Sequence, residues 1–154
     1  PTENIVDLSS LYKMTNQEKL RQLEAGLSGA VLENELSLGT EIVKGDVDVL
    51  VVTVEDREEF PVYVTVDESQ ILCISHLWTE AEVKPQRRAE LLDALLTMNV
   101  PMPLSAFSKL GNQYLIFGAL RSDSSVNDVL TEVEMLSENT LTAVEEFSEF
   151  LIQS

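Results

Sequence analysis

Histidine and cysteine occur once each, as His76 and Cys73, and tryptophan once, as Trp78. A site that needs two imidazoles or a thiol pair cannot be built from them. A lone thiol also rules out an internal disulfide and fits a reducing compartment. Cations are scarce: 10 Lys and Arg stand against 27 Asp and Glu, a formal charge of -17. Such a surface repels phosphate backbones and anionic headgroups, so neither nucleic acid nor an anionic membrane is an expected partner. The one basic cluster, Lys84, Arg87 and Arg88, is too small to reverse that field. The six glycines, at 26, 29, 39, 45, 111 and 118, form neither GxGxxG nor a Walker loop, and GxSxG is absent. No apolar run approaches the roughly 18 residues a membrane helix needs. The opening PTENIVDLSS has no basic n-region and no apolar h-region, so a signal peptide is not expected. The expectation is a cytoplasmic protein with no cofactor.

What is present describes a fold. A chain of 154 residues suits one domain, 1–154, with a core that needs no disulfide or metal. TNQEKLRQLEAGLSG predicts a helix: Thr15 and Glu18 have capping-box spacing, Leu20, Leu23 and Leu27 share a face, and Gly26 and Gly29 end it. The preceding IVDLSSLYK reads as a short turn packing Ile5, Leu8 and Leu11. From Ala30 to Trp78 the period becomes two, and AVLENEL, EIVK, DVLVVTVE, PVYVTVD and QILCISHLW read as strands. The short breaks between them imply antiparallel neighbours.

A second helix follows Pro85, with Leu91, Leu92, Leu95 and Met98 as its stripe, and Asn99, Pro101 and Pro103 stop it. LSAFSKL and QYLIFGAL form a hairpin across Gly111-Asn112. Ser125 and Asp128 then cap a last helix of about 25 residues. Val126, Val129, Leu130, Val133, Leu136, Leu141, Val144, Phe147 and Leu151 face inward, with Glu132, Glu138, Glu145 and Glu149 largely opposite. The fold class is α+β: helix, antiparallel meander, helix, β-hairpin and long C-terminal helix, with helices packed on the sheet.

Candidate sites are few. On an alternating strand Cys73 and His76 point to opposite faces, so they cannot form a catalytic pair. Cys73 shares a face with Ile71 and Leu77 and reads as a buried, unreactive thiol, and His76 as a structural histidine. Asp46 and Asp48 would share a strand face and could hold a hard cation, although a turn explains both. The apolar stretch MPLSAF with LGNQYLIFGAL reads either as the inner face of the last hairpin or as a surface that meets a partner. Phe107, Leu110, Leu115, Phe117 and Leu120 would supply that face, and Gly118 marks a bulge or a close backbone approach. Phe150 lies off the main helical stripe. With Ile152, Phe107, Leu110 and Phe117 it completes the candidate partner-binding residues, and the long helix leaves room for a homodimer.

Residues 102 to 147, MPLSAFSKLGNQYLIFGALRSDSSVNDVLTEVEMLSENTLTAVEEF, resemble the YjfI-like family of bacterial proteins, as does the helix before them. The likeness is carried by Met102 to Phe107, FGAL at Phe117 to Leu120, Ser124-Ser125 and Glu138-Asn139-Thr140. It implies no enzymatic activity and no catalytic residues. It also implies a protein partner in a membrane-stress system, a coiled coil of the phage-shock-protein A type. The order of elements is separately similar to type III secretion chaperones, which implies a carrier dimer holding an extended client. A non-catalytic accessory module is therefore the leading expectation. The alternatives are that carrier, and an enzyme or metal-binding domain with an unrecognised acidic site.

Overall fold

Alternating β-branched residues determine the middle of the chain. In the computed structural model, residues 14–153 are described; the expected turn packing Ile5, Leu8 and Leu11 lies outside them. The elements are α1 (Asn16–Leu27), β1 (Leu38–Val43), β2 (Val49–Val54), β3 (Val62–Val66), β4 (Gln70–Thr79), α2 (Arg88–Met98), β5 (Ala106–Leu110), β6 (Gln113–Arg121) and α3 (Val126–Glu146). Single 3-10 turns precede α2, at Glu80–Glu82 and Pro85–Arg87, and follow α3, at Ser148–Phe150.

The strands form one six-stranded antiparallel sheet, ordered β1-β2-β3-β4-β6-β5. The α+β expectation holds. In β2 and β3 every second residue is buried, so Leu50, Val52, Val54, Val62, Val64 and Val66 line one face. Helices α1 and α3 cover that face: Leu20, Leu23 and Leu27 from one, Val129, Val133 and Leu136 from the other. A second cluster sits at the far end of α3, where Trp78, Tyr114, Phe147 and Phe150 meet Leu91 and Leu95 of α2. The opposite sheet face is half-exposed and carries Tyr63, Ile74 and Phe117, with Tyr63 and His76 rings 5.0 Å apart.

Several expectations need correcting. AVLENEL is not a strand. Glu35 has φ of 71° and the Leu32 amide donates to the Leu36 carbonyl, so the segment closes into a loop with one isolated bridge, Val31 to Ser37. Its alternation arises because Leu32 is buried and Leu36 half-buried within that loop. SLGT, the stretch between the expected strands AVLENEL and EIVK, instead supplies the start of β1. In α2 only Leu91 and Leu95 are buried, and Met98 turns outward.

The hairpin faces also differ from expectation. Phe107 pairs with Ile116 and Leu120 with Ile71, which places them inside; Leu110, Leu115 and Phe117 have the opposite parity. An apolar run as continuous as that of β6 does not reveal its phase. The bulge lies in β4, between His76 and Thr79, and it turns Trp78 back into the core.

Candidate interaction surface

The connection from α2 to β5 is built by two asparagines and two prolines. Pro101 and Pro103 have no amide hydrogen to offer and cannot continue a helix. At the helix end, the Asn99 side chain accepts from the Phe107 amide at 2.7 Å. Asn139, in the C-terminal half of α3, donates to the Pro103 carbonyl at 2.9 Å and to Ser105 Oγ at 3.0 Å. These bonds tie the connection to both the sheet edge and α3. Leu104 is thereby held at φ of 64°, where a branched side chain is rare.

The connection turns apolar side chains outward. Leu96, Val100 and Leu104 are 71%, 92% and 58% exposed, and Met98 stands beside them. Between the connection and α3 a cleft of about 210 Å³ opens, lined by Met98, Met102, Phe107, Ala143 and Phe147 among others. Phe107 meets Phe147 edge-on there, with centroids 5.5 Å apart. The one charged side chain in the cleft wall is Glu146.

The five residues expected to bind a partner are not brought together. Phe107 is half-buried in the cleft, and Phe117 lies on the other face of the sheet. Leu110 is exposed at the hairpin tip, and Ile152 is exposed where its amide donates to the Glu82 carbonyl. Phe150 is core, packed on Phe147 and under the Arg87 guanidinium, which lies 4.5 Å from its ring centroid. Leu96, Val100 and Leu104 were missed: they stand four residues apart, but the helix ends at Met98, so that spacing marks no helix face. Leu96 falls off the α2 stripe, and the other two stand among prolines.

The basic cluster Lys84, Arg87 and Arg88 is engaged by neighbouring groups. Lys84 donates to the Glu149 carbonyl, Arg87 pairs with Glu90 at 2.9 Å, and Arg88 donates to Glu80 at 2.7 Å. Arg88, followed by the Tyr114 hydroxyl, holds the Glu80 carboxyl below its ordinary range, while burial pushes the Tyr114 phenol up. Asp48 is bonded to Lys44 at 3.0 Å and takes the Gly45 amide, and the Lys44 bond lowers its pKa. Among the described residues no three His, Cys, Asp or Glu side chains are grouped to hold a metal ion. No described helix is long and apolar enough to cross a membrane.

A wider cleft of about 800 Å³ lies between the start of α1 and the β3–β4 turn. Its cations are taken up, Lys19 by the Ser124 carbonyl at 2.6 Å and Arg121 by Asp123 at 3.2 Å. Its acid Asp67 accepts from Ser69 and Gln70, and the Ser69 hydroxyl lowers its pKa.

Residues 17–151 match a bacterial family described as "Uncharacterized protein conserved in bacteria (DUF2170)". The chain belongs to that family. No curated protein sequence matches this DUF2170 chain. Among solved structures it is similar to YbjN from E. coli, at 14% identity and a TM-score of 0.51, over 75% of this chain and 87% of that one. It is also similar to a chain of the ExsC–ExsE complex, at 11% identity and a TM-score of 0.58, over 90% of this chain and 98% of the other. At those identities the likeness shows a shared fold.

Proposed function

We propose that the protein is a non-catalytic interaction module that serves as an adaptor in a membrane-stress system of the phage-shock-protein A type. The observation that carries this reading is the α2–β5 connection. Apolar side chains are turned to solvent there on a backbone fixed by Asn99 and Asn139. Monomeric soluble proteins rarely hold such side chains together in the open unless something covers them. The choice of partner rests on the resemblance of residues 102 to 147 to YjfI-like proteins. Crosslinked pull-down of the tagged protein from its host lysate, read by mass spectrometry, tests it. Stoichiometric recovery of a phage-shock-type coiled coil is the expected result. A lysate that yields no protein partner would overturn the reading and reopen a catalytic or metal-dependent role.

A second reading is a secretion-chaperone-like carrier. It is favoured by the architecture shared with a chain from the ExsC–ExsE complex over nearly its full length. It requires a dimer and an extended client, so a strictly monomeric protein by light scattering would exclude it.

A further inference from the structure

Among the described residues no lysine or arginine lines the apolar cleft. Residues 89–108, which run from just after Arg88 at the start of α2 into β5, contain no lysine or arginine, and residues 122–154, which include α3, contain none either. The acids are present on both sides. Asp93 is exposed on α2, three residues before Leu96 and so on the same helical face. Glu146 lines the cleft, and Glu145 beside it is exposed. The surface thus combines three exposed apolar side chains, Leu96, Val100 and Leu104, with an apolar cleft whose charged lining residue is an acid.

We infer that this surface is the docking site for a basic amphipathic segment of another protein. The segment would place apolar side chains on the Leu96–Leu104 ridge and in the adjoining cleft, with its lysines and arginines over Asp93, Glu145 and Glu146. This inference rests on the interaction-module reading and names its site and the chemistry of its partner. A buried apolar centre supplies affinity, and complementary rim charge supplies orientation and on-rate. A second copy of the chain suits the surface less well. A two-fold contact would set the same acidic side chains against themselves, with each copy already carrying a formal charge of -17.

The test uses the full chain and two peptides of about 18 residues with identical composition. One has leucines at i, i+3, i+4 and i+7 with lysines between them, and the other is its scrambled form. Calorimetric or fluorescence titration should show the amphipathic peptide binding at least about tenfold tighter than the scrambled one. The Leu96→Ser, Val100→Ser, Leu104→Ser triple variant should erase that preference while its melting curve stays close to wild type, since all three side chains are exposed. Glu146→Gln should leave the preference in place and flatten its salt dependence.

Equal affinity for both peptides would overturn the inference, as would a preference that survives the triple variant. A wild-type dimer that becomes monomeric in the triple variant would assign the surface to a second copy instead. The same triple variant in the pull-down separates the two levels. Undiminished capture of a partner that wild type also captures would remove this site and leave the module reading standing. Failure of wild type to capture any partner would remove the module reading itself.

Discussion

The carboxyl of Glu132 on α3 is seated directly against the backbone of Gly118 on β6, in the space a side chain at 118 would fill. Glu132 is 5% exposed, and its Oε1 has no hydrogen-bond partner. The helix approaches the sheet this closely because residue 118 has no Cβ. The close backbone approach expected at Gly118 is therefore made by an acid that was assigned to the opposite face.

Gly118→Ala should destabilise the fold by about 2 kcal/mol, the usual cost of forcing an extra carbon into a packed interior. Combining it with Glu132→Ala should relieve part of that cost, leaving a coupling of about 1 kcal/mol in a double-mutant cycle. Additive losses in urea melts would show that the Leu104 carbonyl, 3.0 Å from the same point, is the harder obstacle.

Burial pushes the Glu132 carboxyl above its ordinary pKa. Below the ordinary glutamate value the group is protonated in both the folded and unfolded chain, and no charge is buried. As pH rises past that value the unfolded chain releases its proton first, so the native state binds more protons and stability falls. Glu132→Gln should therefore match wild type in acid and become the more stable protein towards neutral pH. Urea denaturation at acidic and neutral pH would check this, and a difference that shrinks with rising pH would contradict it.

Cys73 is fully buried, and burial, with Glu132 nearby, pushes its thiol up to about 12. The thiolate is the reactive form. A disulfide reagent at about pH 8 should therefore label Cys73 only as fast as the molecule opens, and the rate should climb with urea. Prompt labelling of the native protein would refute this.

Phe150, one of the candidate partner-binding residues, is 6% exposed among Phe147, Trp78 and Tyr114. Phe150→Ala should cost about 3 kcal/mol of stability and leave the molar mass of the folded protein unchanged. A change in mass with an unchanged melting temperature would return the residue to a contact between copies.

Local rules were the legible part of this chain. Ser125 and Asp128 exchange both capping bonds at 3.1 Å, and the Thr15 hydroxyl accepts from the Glu18 amide, because a cap needs only residues three apart. Gly111 takes φ of 58° in the two-residue connection its sequence called for. The alternation in β2 and β3 gave their faces directly. Glu132 was assigned to the outer face because it is charged, although its spacing from Val129, Val133 and Leu136 places it on the buried stripe. Only the absence of a side chain at Gly118, across the sheet, makes that position habitable for a carboxyl, and no local pattern links the two residues. The docking surface was half legible. MPLSAF stood out as apolar, but which of its side chains turn outward depends on Asn99 just before it and on Asn139, which is distant in the chain.

The meander β1–β4 closes by neighbouring turns, whereas β6 reaches β4 only after α2 and the proline-rich connection, and β4 alone belongs to both halves. Its amides donate alternately to β3 and to β6, so a loosened hairpin or a frayed meander frees only those bonded to that side. Hydrogen exchange should therefore run down the sheet from both ends and finish in β4. The slowest clock in the molecule would then sit in a strand that contributes nothing to the apolar cleft, and the cleft could open and close many times for each beat of it.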